Sequence, residues 1–393
     1  MPSFHERLAE VIDRQYALYE PYRTLCAMED VSREDLHALI TDDALHAIPA
    51  IPAEWFKRDK GKGLFKQLAN FDLPGAWLIS SSTSGDPSYI WRTEADRQAI
   101  ADSFDRAYRH VPAAKSVAFS PTADFLQKVG ERFAIDERPV LFYAVIPSRT
   151  AAAVFQDMDS LAQLNTLKTL WAMVKSRGKG RPVLELQTHM LRAAIENAVQ
   201  TRTDLVFSAS VLMLYPALSA LPGPYALGDN AHFLTGAGGW DGAKGTTSGA
   251  AIHKPTYVRE MSEKFGLLPE RANEHFWDIY GTTENGKAQV GHYVPEYEDF
   301  VFTVEEDTVR LYVIDPVSGE PATAGGQGYP RFVSPHGVDG FAGACVQQND
   351  IVTVVSTNDD GSVRQFTHIG RASGGEGEGG VGCAFEMVEG VQL

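Results

Sequence analysis

Apolar and polar positions along the chain fall into three textures. Over residues 1 to about 75 the apolar positions recur at helical spacing. In FHERLAEVIDRQYALY they are Phe4, Leu8, Val11, Ile12, Tyr16 and Leu18, and SREDLHALITDDALHAI opens on a Ser/Glu pair of the capping type. Short apolar runs then alternate with longer helical segments. GAWLISS (75–81) predicts a buried strand, TEADRQAIADSFDRAYRHV a helix, and RPVLFYAVIP (138–147) a second buried strand. Helical patterns follow at about 149–176 and 186–200, and strand-like runs return in DLVFSASVLMLY, AHFLTG and HFWDIYG. Strands alternating with helices predict a layered α/β core with parallel sheet content. From about 297 the strands are joined by Asp-Gly and Gly-rich turns, which predicts a smaller β-rich subdomain. The last stretch, GRASGGEGEGGVGCAFEMVEGVQL, reads as a mobile arm. The expected division is a helical segment 1–75, an α/β core 76–296, a β-rich subdomain 297–371 and a Gly-rich arm 372–393.

Composition narrows the class. The chain has 393 residues, enough for one large or two medium domains with ample core. Lys and Arg number 35 against 51 Asp and Glu, a formal charge of -16. That balance argues against nucleic acid and against an anionic membrane surface as partners. The three cysteines, Cys26, Cys345 and Cys383, are far apart, which argues against a disulfide framework or a Cys-rich zinc site. MPSFHERLAEVIDRQY has no apolar core of a signal peptide, and no stretch reaches the roughly 18 apolar residues of a membrane span. The cytoplasm is the expected location.

SSSTSGDPSYI (80–90) runs a strand into hydroxyl residues and glycine and stops at Pro87. Such a segment suits an anion cradle, because glycine admits close backbone approach and N–H groups with short hydroxyls surround phosphate oxygens. It equally suits a surface loop. The usual Walker phosphate loop is absent, and GTTSG at 245–249 shows how little composition alone decides. No G-x-S-x-G elbow occurs, and His189, His232, His253 and His292 carry no local triad signal.

Further motifs follow in order. DIYGTTENG contains Tyr280-Gly281-Thr282-Thr283-Glu284, QQNDIVTVV places Asp350 at the head of a strand, and THIGRA ends in Gly370-Arg371. With the hydroxyl loop, these make residues 75–383 resemble the adenylate-forming superfamily of acyl-CoA synthetases and adenylation domains. Within it the chain resembles the branch of phenylacetate–CoA ligases and LuxE-like acyl-protein synthetases, nearest to a phenazine antibiotic biosynthesis protein. YGTTE is the most specific piece.

The resemblance implies roles. Ser81, Ser82, Thr83, Ser84 and Gly85 hold the β- and γ-phosphates of ATP, although Ser82 replaces a usual glycine and Ser88 a usual lysine. Thr283 donates to the α-phosphate, and Glu284 coordinates Mg2+. Tyr280, with Gly281 and Thr282, lies along the adenine, with core packing as the other reading of its ring. Asp350 accepts the ribose hydroxyls; Asn349 stands where the family has glycine. Arg371 binds near the ribose or phosphate, or is a surface arginine. LTGAGGWDG (234–242) resembles the adenine and acyl pocket strand. Gly236, Gly238 and Gly239 pass beside the acyl-adenylate, Trp240 is a pocket wall or a core residue, and Lys244 offers replacement charge.

The family commonly adds a C-terminal lid domain of roughly a hundred residues with a catalytic lysine; 22 residues follow Arg371 here, none of them lysine. The expected fold class is therefore an α/β adenylate-forming domain with a β-rich subdomain, lacking most or all of that lid. Cys383 stands where the acyl-protein synthetases carry an acceptor cysteine; a small buried cysteine is the other reading. The implied activity is attack of a carboxylic acid, aromatic by analogy, on ATP to give acyl-AMP and pyrophosphate. The acyl group then passes to a thiol (Cys383, a partner protein or CoA) or to a reductase. An aryl-CoA ligase, and a nucleotide-binding scaffold without catalysis, are the alternatives.

Overall fold

The capping signal at Ser32 closes, and another box forms ahead of it. Ser3 forms a capping box with Glu6, and Ser32 does so with Asp35, so the acid completing the second box lies one residue beyond Glu34. Helices Phe4–Leu18, Glu20–Met28 and Arg33–Thr41 follow. The computed structural model describes residues 2–58, 60–80, 87–111, 115–118, 134–135, 138–142, 159–160, 162–164, 184–236, 238–241, 243–244, 247–248, 250–371 and 391–392. The three helices bury Leu8, Ile12, Leu25 and Leu36 in one cluster with Tyr312, Ile314, Val333 and Val346, so the first helices share a core with distant strands. Arg14 extends that contact outward by donating to Asp339 at 2.7 Å.

The α/β alternation forms the parallel half of a large sheet. Strands Phe276–Tyr280, Ala231–Gly236, Leu205–Ala209, Lys115–Ala118 and Asp159–Ser160 lie side by side, each pair parallel. On its other edge Phe276–Tyr280 pairs antiparallel with Gln289–Val294, and Asp299–Thr303, Val363–Arg371, Asp350–Thr357 and Gln327–Val333 continue from there. The β-rich texture after 297 is present, and its strands extend the sheet of the α/β core. Phe207, Phe233, Phe265 and Phe276 pack together beneath the parallel half, with Phe233 and Phe276 stacked face to face, nearly parallel, at 4.6 Å.

A second sheet carries Tyr89–Thr93, Gly75–Ile79, Arg138–Phe142 and Ala134–Ile135. Trp77, Trp91, Phe65 and Phe71 meet edge to face at 5.2–5.6 Å on it. The strand expected at 138–147 is described as far as Phe142. The expected helices at 93–111 and 186–200 are Glu94–Ala107 and Thr188–Thr201.

Two expectations differ from the fold. DLVFSASVLMLY is a strand only to Ala209; Val211–Ser219 is a helix with Ser210 at its N-cap position. That helix is apolar on nearly every side, so its period cannot be read from sequence. The expected helix at 149–176 lies mostly outside the described residues, and Asp159–Ser160 and Ala162–Leu164 within it are strands. Of the C-terminal arm, only Val391–Gln392 is described, paired parallel with Leu184–Leu186. Among the described residues no helix is long and apolar enough to cross a membrane.

At the N-terminal ends of the parallel strands, buried His232 and His275 stack at 5.1 Å, beside Asp204 and Asp229. Burial, and then the neighbouring His275, push His232 down to about 4 against the pull of Asp204. An unfolded imidazole takes its proton near pH 6.5, so stability is complete above that value and is lost as pH falls towards 4. For His232 the loss is on the order of 3 kcal/mol. Urea titrations between pH 7.5 and 4.5 should show this slope, and His232→Gln should flatten it; an equal slope in the variant would count against the assignment.

Candidate active site

Strand Phe276–Tyr280 ends at the point where the sheet changes from parallel to antiparallel, and Thr282–Gly286 turn there. The Gly286 amide donates to the Thr282 carbonyl at 2.8 Å, and the Asn285 amide to the Thr282 hydroxyl at 3.3 Å. This tight turn leaves Thr283 and Glu284 at its tip, both buried. The Thr283 hydroxyl is enclosed and has no hydrogen-bond partner among the described residues. Behind it the Tyr280 hydroxyl donates to Asp350 Oδ2 at 2.6 Å. The Tyr280 ring packs among Phe302, Phe332, Phe366 and His368. Asp350 heads its strand, as the sequence predicts, and the hairpin register sets Arg371 opposite it.

The strand after the hydroxyl segment reaches the same turn. Ser80 and Ser88 close the base of that segment, with the Ser88 amide donating to the Ser80 hydroxyl at 2.8 Å and the Ser80 amide to the Ser88 carbonyl at 3.1 Å. The Ser88 hydroxyl donates to Glu284 Oε1. Four residues on, Arg92 is fully buried; its guanidinium donates to the carbonyls of Thr283 at 2.9 Å and Glu284 at 3.1 Å, and to that of Gly337. It also lies 4.1 Å above the Phe341 ring. Burying a guanidinium costs several kcal/mol. Charge-assisted bonds at about 1.5–3 kcal/mol each offset that, so the charge is tolerable only while the turn stays in place. Lys287 is buried beside it and donates to the His336 carbonyl at 2.7 Å. Burial, then Arg92 and Arg106, push its ammonium down to about 7.

A third group closes the far wall. Gly238 and Gly239 have φ of 69° and 100°, which bulkier residues rarely adopt. They swing Trp240 so that its indole N–H donates to Asp278 Oδ2 at 3.1 Å, while Thr235 donates to Oδ1 at 2.9 Å. Burial raises the Asp278 carboxyl, and these two bonds oppose the rise. Lys254 binds Asp299, donates to the His368 carbonyl at 3.1 Å and lies 6.0 Å from the Trp240 ring. Gly370 lies beside Asp241, so the Gly-rich turn and the end of Val363–Arg371 meet.

Tyr280, Thr282, Thr283, Glu284 and Asp350 are thus brought together at one strand end, with half-buried Gly281 between them. Gly236, Gly238, Gly239 and Trp240 stand on the adjacent strand and its turn. Ser81, Ser82, Thr83, Ser84, Gly85 and Cys383 lie outside the described residues. Lys244 and Arg371 are placed by their backbone alone, in Ala243–Lys244 and Val363–Arg371. The sequence reading missed Arg92, Asp278, Lys254, His368 and Lys287. The one signal for Arg92 is a charged residue inside the apolar run YIWRT.

The donor set fits the group the motif implies. Mg2+ takes one or two carboxylates and completes its shell with phosphate oxygens and water. Glu284 supplies a carboxylate at the turn's tip, and the enclosed Thr283 hydroxyl lies beside it. Among the described residues no three His, Cys, Asp or Glu gather into an all-protein cage.

No protein-family model and no curated protein sequence matches the chain. Its fold matches solved structures of 2-hydroxyisobutyryl-CoA ligase. One is an open conformation in complex with 2-HIB-AMP and CoA, with TM-score 0.55 and 12% identity over 94% of this chain and 69% of that one. Another is the thioesterification state with the same ligands, with TM-score 0.57 and 12% identity over 94% and 67%. A third is the postadenylation state with 2-HIB-AMP, with TM-score 0.55 and 13% identity over 94% and 67%. At this identity the likeness is one of fold, and the chain has the α/β fold of these adenylate-forming ligases.

Proposed function

We propose that the protein activates a carboxylic acid with ATP. One observation carries this reading: Tyr280, Thr283, Glu284 and Asp350 converge at the end of Phe276–Tyr280, with the Tyr280 hydroxyl bonded to Asp350. The fold shared with ligases solved with an acyl-AMP supports it. The substrate carboxylate attacks the α-phosphorus of ATP, the bond from that phosphorus to the bridging oxygen breaks, and pyrophosphate leaves with the bond's electron pair. The product is an acyl-AMP.

Residues divide the work. Asp350 accepts the ribose hydroxyls, a match of one carboxylate to two adjacent donors. The Tyr280 hydroxyl holds that carboxylate in orientation, and its ring lies along the adenine. The Thr283 hydroxyl donates to the α-phosphate, where charge grows in the transition state. Ser81–Gly85 receive the β- and γ-phosphates. Glu284 would hold Mg2+, which when bound neutralises phosphate charge. Trp240, anchored by Asp278, walls the acyl side, and Gly236 keeps that wall thin. Lys244 offers part of the missing positive charge, and Arg371 binds near the ribose or phosphate. The likeness to phenazine and phenylacetate enzymes favours an aromatic acid in secondary metabolism. The CoA in the matched ligase structures supports CoA as acceptor, and Cys383 is the competing thiol.

ATP–pyrophosphate exchange, measured against aryl, phenazine and fatty acids with Mg2+ and without CoA, tests this reading. Exchange with one acid names the substrate class, and silence with every acid would overturn it. Glu284→Gln is expected to cut exchange by about a hundredfold or more, as loss of a charge-stabilising group does. Asp350→Ala is expected to raise the KM for ATP by about 10- to 100-fold with a smaller change in kcat, the cost of about 1.5–3 kcal/mol in charge-assisted bonds. Cys383→Ser is expected to keep exchange and lose covalent self-acylation from labelled acid. Label persisting on that variant would assign the acyl group elsewhere.

A further inference from the structure

Ser88, immediately ahead of strand Tyr89–Thr93, alternates with Ile90 and Arg92 on it and therefore shares their face; all three are buried. That face meets the turn at Glu284 twice. The Ser88 hydroxyl takes the end of the side chain at Oε1, and the Arg92 guanidinium takes the residue's own carbonyl and that of Thr283. One residue is thus held at both ends from a single rigid strand.

The turn is shaped to receive the guanidinium. Gly286 has a φ of +67°, and a Cβ there would stand 3.1 Å from Arg92 Nη2 and 2.9 Å from Ile100 Cγ1. The glycine in Glu284-Asn285-Gly286 leaves the space that Arg92 fills. Arg92 also reaches the Gly337 carbonyl, while Asp96 accepts from the Asp339 amide at 2.8 Å and the Gly340 amide at 2.9 Å. The guanidinium is therefore braced against a second fixed segment. Ser88 is bonded through its amide to Ser80, so the residue that steers the Glu284 carboxylate also closes the hydroxyl segment.

We propose that Ser88 and Arg92 are positioning residues for Glu284, fixing its carboxylate and its peptide so that it takes up a divalent cation together with nucleotide. The inference rests on the adenylation reading only in naming Glu284 as the cation's ligand. With Oε1 engaged by Ser88, Oε2 is the oxygen left to bind a cation. Neither side chain touches reacting atoms; both act through Glu284.

The test reads binding rather than turnover. The Tm is followed with ATP and EDTA, and then with ATP and rising MgCl2, for the wild type, Ser88→Ala, Ser88→Thr, Arg92→Lys and Glu284→Gln. The wild type should show a Mg2+-dependent rise beyond that from ATP alone. Ser88→Ala should need about tenfold more Mg2+ for half of that rise, the effect of one bond to a charged group, while Ser88→Thr restores it. Arg92→Lys should shift the half-point at least as far and lower the Tm of the free protein. If Arg92→Lys does not fold, the Ser88 pair decides. A role in folding alone would lower the Tm and leave the half-point unmoved, and wild-type half-points in Ser88→Ala and Arg92→Lys would overturn the proposal. A wild type that shows neither a nucleotide-dependent rise nor exchange would overturn the adenylation reading as well, which separates the two failures.

Discussion

Strand Phe276–Tyr280 is the element on which the arrangement depends. It pairs parallel with Ala231–Gly236 on one side and antiparallel with Gln289–Val294 on the other. A strand with both edges filled and both faces covered cannot shift register without breaking two ladders and displacing the packing on each face. Its last residue is thereby fixed, and the chain must turn away at once to make the antiparallel pairing. The carboxyl ends of parallel strands are a recurrent ligand position in open α/β sheets. Here that position receives Tyr280, the turn at Glu284 and, from the antiparallel half, Asp350.

Polar groups rather than apolar packing set the fine geometry around this strand end. Arg92, Asp278, Asp350 and Lys287 are all buried, and each is bonded to another segment of the chain. A buried polar group is satisfied in few arrangements, so each restricts the fold to the one in which its partners are present. Asp278 shows the effect: its carboxylate joins Thr235 on one strand to Trp240 on the turn that follows. Packing alone would hold an indole in its plane less specifically than packing with a bond to its N–H.

What the sequence revealed follows from the range of each signal. YGTTE, the acid before a strand and the Gly-rich turn are local patterns, and they placed Tyr280, Thr283, Glu284, Asp350 and Trp240 together. The capping box at Ser32 is equally local. The run from Asp204 to Tyr215 was misread because a continuous apolar stretch has no period, and only Ser210 marks the boundary. Arg92 was missed because its partners at Thr283 and Glu284 lie 191 and 192 residues away. Lys254 and Asp299 likewise meet across 45 residues. Charged residues whose partners are distant look like surface residues until the fold supplies them.

The shared core of the first helices has a consequence for the order of events during synthesis. Leu8, Ile12 and Leu25 bury themselves against Tyr312, Val333 and Val346. At about 5–20 residues per second, those partners emerge roughly 15–60 s after the helices do. Amphipathic helices this short are marginal alone in water. The opening segment of the chain therefore waits with an apolar face uncovered while the whole parallel half is made. Completion of the antiparallel strands is what finally covers that face.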